Sequence, residues 1–446
     1  MVESTVLDGK IPVRRNAGLK RISGIHGLPK KIWHKLLSIG PGIFCIGFTI
    51  GTGSITAMTR AGSMYGMQLL WILALSAFFT WLLMEAYGRY AMVTGDTAIH
   101  AIRKNFRYGN ITGLVVIIGI TIGQWGSLTG ILGISSNAIY EIFHMFFGTP
   151  GDNRHQYWYV LIIAVIVITG MFFLLTIGRY SVFEKILVVF ITIMTFSFFI
   201  TMFITLPSAA EFARGFRFEI PPGRDGNLMA AAFVGTTMAA ATFVFRPLVV
   251  HAKGWTKDND MKQQSKDALT SGILIFLISA SVMVCAAGAL FGAGKPVTRV
   301  LDMVTSLEPL AGKFAVALFM TGTLSAGLSS IFPILMVAPV LYSDYQGNKL
   351  DLKSPHFRKL TLTACIVGLT IPVLGSNPII AQIATQVVNV FILPVVVGSI
   401  IFLLNSKKLM GKHRAGLKMN IGLVTAFIFS CLISYTGVLG LINLTM

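Results

Sequence analysis

Charged side chains are scarce in this chain: Asp, Glu, Lys and Arg together make up 12% of its 446 residues, about half the share typical of a soluble domain. Acidic residues are the scarcer sign, 17 against 36 basic. The four cysteines, Cys45, Cys285, Cys365 and Cys431, lack the close spacing that metal and redox motifs use. These shortages exclude a soluble globular fold and a disulfide scaffold. The chain also has no Gly-Lys-Ser/Thr phosphate loop, nucleophile elbow or His-Glu-x-x-His pair. It is therefore expected not to be an enzyme and to hold no cofactor.

What abounds is apolar sequence, 54% of residues, with a mean hydropathy of +0.75. A helix needs about 20 mostly apolar residues to cross about 30 Å of hydrocarbon. Eleven such stretches are read at 36–58, 67–93, 110–141, 157–177, 181–206, 228–252, 268–293, 312–342, 358–376, 379–404 and 419–443. All four cysteines fall within them and are expected to be small buried apolar residues. The net charge of +19 sorts by side: with the N-terminus inside, 26 of the 36 basic residues lie in the tail and the cytoplasmic loops, and 8 lie outside. That bias is the positive-inside pattern and places the chain in a plasma or bacterial inner membrane, N-terminus cytoplasmic and C-terminus outside. The partners it implies are the bilayer and its anionic lipids, not nucleic acid.

Residues 1–35 read as a basic cytoplasmic tail, 36–206 as a first repeat of five helices, 207–227 as an outward loop, 228–404 as a second repeat and 405–446 as a cytoplasmic loop with the eleventh helix. Five is odd, so the second repeat is inverted relative to the first. Small residues interrupt the first span of each, "GTGS" at Gly51–Ser54 and "GTTMAAAT" at Gly235–Thr242. Paired interruptions of this kind point to a binding site at the repeat interface. The expected fold is thus an all-α membrane protein of about eleven spans, an inverted five-helix repeat with broken helices one and six.

Five segments carry a more specific resemblance. "AGSMYGMQLLW" (Ala61–Trp71) resembles the stretch after the first broken helix in the natural resistance-associated macrophage protein (Nramp) family of divalent-metal transporters. "VTGDTAIHAIRKNF" (Val93–Phe106), "VFEKILVVFITIM" (Val182–Met194), "LSAGLSSIFPILMVAPVLYSDY" (Leu324–Tyr345) and "TQVVNVFILPVVVGSIIFLLNSKKLMG" (Thr385–Gly411) are similar, in order, to later segments of that family. The resemblance implies a centrally bound ion and alternating access around it.

The family's ligand positions are changed here. Where the family's first helix has Asp-Pro-Gly-Asn, this chain has Gly51, Thr52, Gly53 and Ser54; where its sixth has Met-Pro-His-Asn, this chain has Ala239, Ala240, Ala241 and Thr242. Ser127 and Gly130 stand at the family's proton-path Asp and Glu, Arg246 at its second sixth-helix histidine, and Ile392 at its tenth-helix Gln. Glu184 matches a family position near the start of helix five. No metal ligand set is therefore assigned. The candidate substrate site is Gly51, Thr52, Gly53, Ser54, Ser127, Ala239, Thr242, Gln386 and Asn389, a neutral set of hydroxyls, amides and backbone carbonyls. Oxygen donors without sulfur or imidazole suit a hard ion such as magnesium better than manganese or iron.

Candidate gating or charge residues are Glu85, Arg89, Glu184, Arg246 and His251. Glu85 and Arg89, four apart on one helix face, are expected to pair. Arg246 stays protonated and cannot relay protons; it either adds a fixed charge near the site or is paired with a carboxylate. Two other readings stay open. "GTGS" is similar to the Gly-x-Gly stretch at which amino-acid transporters of the amino-acid, polyamine and organocation superfamily hold a carboxylate, which suits an amino acid or organic anion. Loss of every ionisable ligand also fits a transceptor or scaffold that no longer transports.

Overall fold

Hydrocarbon offers backbone N–H and C=O groups no water, so a chain that crosses it closes its hydrogen bonds within helices. The computed structural model describes residues 42–148, 153–176, 180–222, 224–291, 297, 300–348 and 351–442, and among these it contains helices and no strand. In order they are α1 (Gly42–Thr49), α2 (Thr52–Tyr65), α3 (Leu70–Thr94), α4 (Ala98–Asn105), α5 (Gly109–Phe147), α6 (Asn153–Thr176), α7 (Tyr180–Ile204), α8 (Ala209–Arg214) and α9 (Arg224–Thr237). They continue as α10 (Ala240–Ala252), α11 (Met261–Ala286), α12 (Val300–Gln346), α13 (Pro355–Gly368), α14 (Thr370–Leu374), α15 (Pro378–Phe391), α16 (Leu393–Asn405), α17 (Lys407–Met410) and α18 (Leu417–Ile442). Among the described residues ten segments are long and apolar enough to cross a membrane, and α1 with α2 forms the broken first span. The expected tail, 1–35, and the start of the first span lie outside the described residues.

The eighth span begins at 312 as expected: Gly312, with φ +72°, is a non-helical kink that separates the membrane-crossing part of α12, Gly312–Gln346, from the helix that precedes it from Val300. Three details differ from expectation. The seventh ends in a π turn, Ala287–Phe291. The tenth is two helices, α15 and α16, meeting at Ile392. Pro394 has no N–H to offer the carbonyl of Val390 four residues back, and Ser434 of α18 donates its hydroxyl to that oxygen at 3.1 Å. Cys431, expected to be buried, is exposed on α18, whereas Cys45, Cys285 and Cys365 are buried.

Burial sorts centre from rim. The span formed by α9 and α10 is 94% buried over its most apolar window, while that of α6 is 22% buried. The first span packs against α7, α9, α10, α11 and α12, and α5 is flanked by α12 and α15. The indole N–H of Trp71 donates to Glu219 O at 3.2 Å, and its ring lies 5.4 Å from Phe218, so the loop leading to α9 is packed onto the head of α3.

The contact between α5 and α15 has a clear sequence cause. Gly119, Gly123, Gly126, Gly130 and Gly133 recur at steps of four and three along one face of α5, and they face Ile392, Asn389, Thr385, Gln382 and Pro378 in turn. A Cβ added at Gly123 would lie 2.0 Å from Asn389 Oδ1, and one at Gly130 would lie 2.2 Å from Gln382 Oε1. Small residues let membrane helices approach this closely, so α15 is held in one register against α5. Gly123→Val is expected to lower stability by about 1–3 kcal/mol through overpacking. Gly170→Ala, on the open face of α6 with nothing within 4 Å of an added Cβ, is expected not to. Thermal unfolding in detergent of the two variants checks this.

Candidate functional site

Both breaks are two residues long. Gly51, between α1 and α2, is extended (φ −108°, ψ −170°), and Ala239, between α9 and α10, has φ −59° and ψ 116°. Each break strands carbonyls at the end of one half-helix and N–H groups at the start of the next. Hydroxyls from other helices meet several of those carbonyls. Ser330 donates to Gly47 O at 2.7 Å, Thr236 to Thr49 O at 3.3 Å and Thr80 to Thr237 O at 2.8 Å. The two broken spans are also tied to each other, since Thr49 Oγ1 and Thr242 Oγ1 are 3.2 Å apart.

A cavity lies where the breaks meet. Its wall is the backbone at Gly51, Gly53 and Ala239, the polar side chains of Gln124, Ser127, Thr236, Ser330 and Gln386, and the apolar Phe48, Ile131 and Ile334. It offers about 10 Å³ to the centre of a water-sized sphere, room for about one water molecule. Phe48, which lines it, packs against Phe245 of α10 with ring centroids 5.0 Å apart.

An amide ladder backs the cavity. Asn377 caps α15 by accepting from Ile379 N at 3.0 Å, and Pro378 follows at the first turn, a combination that starts a helix firmly. The helix then presents Gln382, Gln386 and Asn389 on one buried face. Gln382 and Gln386 each donate an amide N–H to Ser127 Oγ, at 2.8 and 3.0 Å, and Asn389 donates to Gln386 Oε1 at 3.3 Å. Both lone pairs of Ser127 are thus occupied, so its role is to orient the two amides. Oxygens left to a guest are those of Gln386, Gln124, Thr236 and Ser330 and of the broken backbone.

Of the residues assigned from sequence, Gly51, Gly53, Ser127, Ala239 and Gln386 line the cavity, and Asn389 stands behind Gln386. Thr52, Ser54 and Thr242 are placed elsewhere. Ser54 Oγ lies 3.2 Å from Ser279 Oγ on α11, Thr242 faces Thr49, and the Thr52 hydroxyl is buried without a hydrogen-bond partner. Residues on a helix turn about 100° per step, so Ser54 cannot share Gly53's outlook. Gln124, Ser330 and Gln382 were not singled out from sequence. The i, i+4, i+7 spacing of Gln382, Gln386 and Asn389 in an apolar span was the available signal.

Among the charge candidates, Arg246 is fully buried and forms an ion pair with Asp267, Nη1 to Oδ2, at 2.7 Å. The expected Glu85–Arg89 pair does not form; Glu85 instead accepts from Ser265 Oγ at 2.9 Å. The His251 ring nitrogen Nε2 is 3.3 Å from Ala91 O and so joins α10 to α3. The side chain of Glu184 lies outside the described residues. Among the described residues no three His, Cys, Asp or Glu side chains gather where they could hold a metal ion. The cavity lining carries no charged side chain.

A family profile described as natural resistance-associated macrophage protein-like matches residues 42–440. The chain is 24% identical over 404 residues to the divalent metal cation transporter MntH of Bacillus subtilis, covering 88% of this chain and 87% of that protein. It is 24% identical over 391 residues to the natural resistance-associated macrophage protein 2 homolog of Dictyostelium discoideum, covering 84% and 59%. Among solved structures, it resembles the manganese transporter of Eremococcus coleocola in complex with an aromatic bis-isothiourea compound. That match has a TM-score of 0.73 at 15% identity and covers 93% of this chain and 88% of the other. MhsT in complex with L-phenylalanine matches at a TM-score of 0.60 and 12% identity, over 90% and 98%.

Ser127→Ala removes the shared acceptor of two buried amides and is expected to cost about 1–2 kcal/mol. Ser281→Ala, which deletes a hydroxyl bonded only to the Ile278 carbonyl of its own helix, is expected to be near neutral. Comparing the unfolding midpoints of the two in detergent tests the ladder.

Proposed function

The chain belongs to the natural resistance-associated macrophage protein (Nramp) family, and from that premise we propose that it carries a divalent metal ion across the membrane through the cavity between its two helix breaks. The observation that carries this reading is a neutral, oxygen-lined space, at the meeting point of both breaks, with room for about one water-sized body. A related protein of Bacillus subtilis is named a divalent metal cation transporter, which supports the substrate class. The donor set supports a hard ion: amide and carbonyl oxygens suit magnesium, while no Met, Cys or His faces the cavity to favour manganese or iron.

Transport is by alternating access around this site. The N-terminus is cytoplasmic and the C-terminus outside, in a plasma membrane, as the distribution of Lys and Arg favours. No protonatable side chain lines the cavity, and the nearby Arg246 is neutralised by Asp267, so ion movement proceeds without a coupled proton. The small cavity speaks against an amino acid or organic anion in this site. Retention of two backbone breaks, costly in hydrocarbon unless they serve a cavity, speaks against a scaffold that no longer transports.

Purified protein in liposomes is expected to move magnesium more readily than manganese, with no accompanying acidification reported by an internal pH dye. Flux of an amino or organic acid with none of any divalent ion would overturn the proposal in favour of the carboxylate reading. A Cβ on Gly53 would sit 2.3 Å from Gln386 Nε2 and 2.6 Å from Gln382 Nε2. Gly53→Val is therefore expected to reduce flux to that of empty vesicles while the protein still elutes as a single folded species. Normal flux in that variant would displace the site from this cavity.

A further inference from the structure

A second and larger cavity lies away from the helix breaks, where α12 ends and α13 begins. It measures about 150 Å³ on the scale that gives the central cavity about 10 Å³, roughly ten times the room one water needs. The membrane-crossing part of α12 stops at Gln346 and that of α13 starts at Pro355, so the cavity stands at the level where hydrocarbon gives way to lipid headgroups. Its floor is apolar: Pro339, Phe357 and Leu360. Its walls are polar and come from two sources. Tyr342, Ser343 and Gln346 face it from the last turns of α12. Gln346 uses its amide oxygen to accept from Asn348 Nδ2 at 2.9 Å, which leaves its own N–H groups to a guest. The start of α13 supplies Ser354 and His356. The Ser354 oxygen accepts from Phe357 N at 3.2 Å, so its O–H remains to donate.

We infer that this cavity holds the headgroup of a membrane phospholipid that carries a primary ammonium, of which phosphatidylethanolamine is the simplest. Such a headgroup has two charges of opposite sign, and the cavity has a place for each. The first turn of α13 suits the phosphate, because the helix dipole, the Ser354 hydroxyl and the His356 ring converge there and Lys353, Arg358 and Lys359 are exposed around it. Asp351 suits the ammonium. It is the one carboxylate among the described lining residues, and its Oδ1 accepts from Lys353 N at 2.9 Å while its other oxygen is left to a guest. A quaternary ammonium has no N–H to give that oxygen, and a glycerol headgroup has no positive charge to match it. The lipid source follows from what adjoins the cavity. Tyr342 is 41% exposed at its edge, an aromatic at the depth where tyrosine is favoured. From Lys359, the exposed Leu362 and Ile366 continue at steps of three and four along α13 into the hydrocarbon, a track that acyl chains can follow and a soluble phosphate ester would not use.

The test uses the purified full-length chain in detergent, with the ethanolamine, choline or glycerol form of one dioleoyl phospholipid added to the micelles and one-to-one adducts quantified by native mass spectrometry. The ethanolamine lipid is expected to bind about tenfold more tightly than the other two, the factor for one charge-assisted hydrogen bond. Equal binding of all three overturns the proposal, since that is unselective lipid contact. Soluble glycerophosphoethanolamine is expected to bind far more weakly than the lipid, and binding as tight as the lipid's overturns the membrane source. Asp351→Asn keeps an acceptor for Lys353 N and removes the charge, so it is expected to level the three lipids. A preference that survives in it overturns the role of Asp351. Ser343→Leu, at a half-buried helical position on the cavity wall, fills the space and serves where the first variant does not fold. It is expected to lose the selective adduct, and an unaltered one in folded protein shows that the headgroup sits elsewhere. The assay reads binding alone, so its outcome does not depend on which ion the protein carries.

Discussion

Two gaps in hydrogen bonding, placed where water cannot repair them, govern this molecule. A helix broken in mid-membrane leaves carbonyls and amides that other parts of the protein must meet. Here they are met by single hydroxyls delivered from distant helices: Ser330 at Gly47, Thr236 at Thr49 and Thr80 at Thr237. Ser434 does the same for the carbonyl that Pro394 leaves open. Two of these groups, Ser330 and Thr236, also line the cavity. The atoms that hold the breaks together are therefore among those a guest encounters, and a change in either role alters the other.

Charge is handled with similar economy. The cavity lining is neutral, and the fully buried guanidinium of Arg246 is matched by one carboxylate that also accepts from the Gly42 amide. An isolated buried charge would be severely destabilising, whereas a paired one is roughly neutral against apolar alternatives. Arg246 is thus evidence of specificity in how helices are arranged, and it adds little to stability. Glu85, without an ionic partner in reach on its own helix, takes the hydroxyl of Ser265.

Much of the fold could be read from the chain. Spans are visible because each must be long and apolar, and both breaks are visible because small residues interrupt them at matching places. The tenth-span break at Ile392 was less legible, although Pro394 marked it. The site was legible in depth but not in direction. Gly51, Gly53, Ala239, Ser127 and Gln386 face the cavity, whereas Thr52, Ser54 and Thr242 are rotated away on the same short segments. Which face of a half-helix looks inward depends on its neighbours, which no local pattern records. The partner of Arg246 was hidden for a similar reason. Asp267 lies 21 residues further on, at the head of the next span, and only packing brings the two together. Gln124 and Ser330 sit on helices whose rotation is likewise set by tertiary contacts.

The glycine face of α5 separates where a group stands from what the group is. Its five bare positions lie against side chains of α15 and its junction, with the Cα atoms of Gln382 and Asn389 also close, so the near approach of the two helices rests on what α5 lacks. A lineage with this architecture can exchange those side chains one at a time and sample new ligand chemistries at fixed coordinates. The reverse does not hold, because a methyl added to α5 would press on the facing helix at the position opposite it. Innovation in such a protein is cheap on one helix and nearly forbidden on its neighbour, which makes α5 the conservative partner and α15 the experimental one.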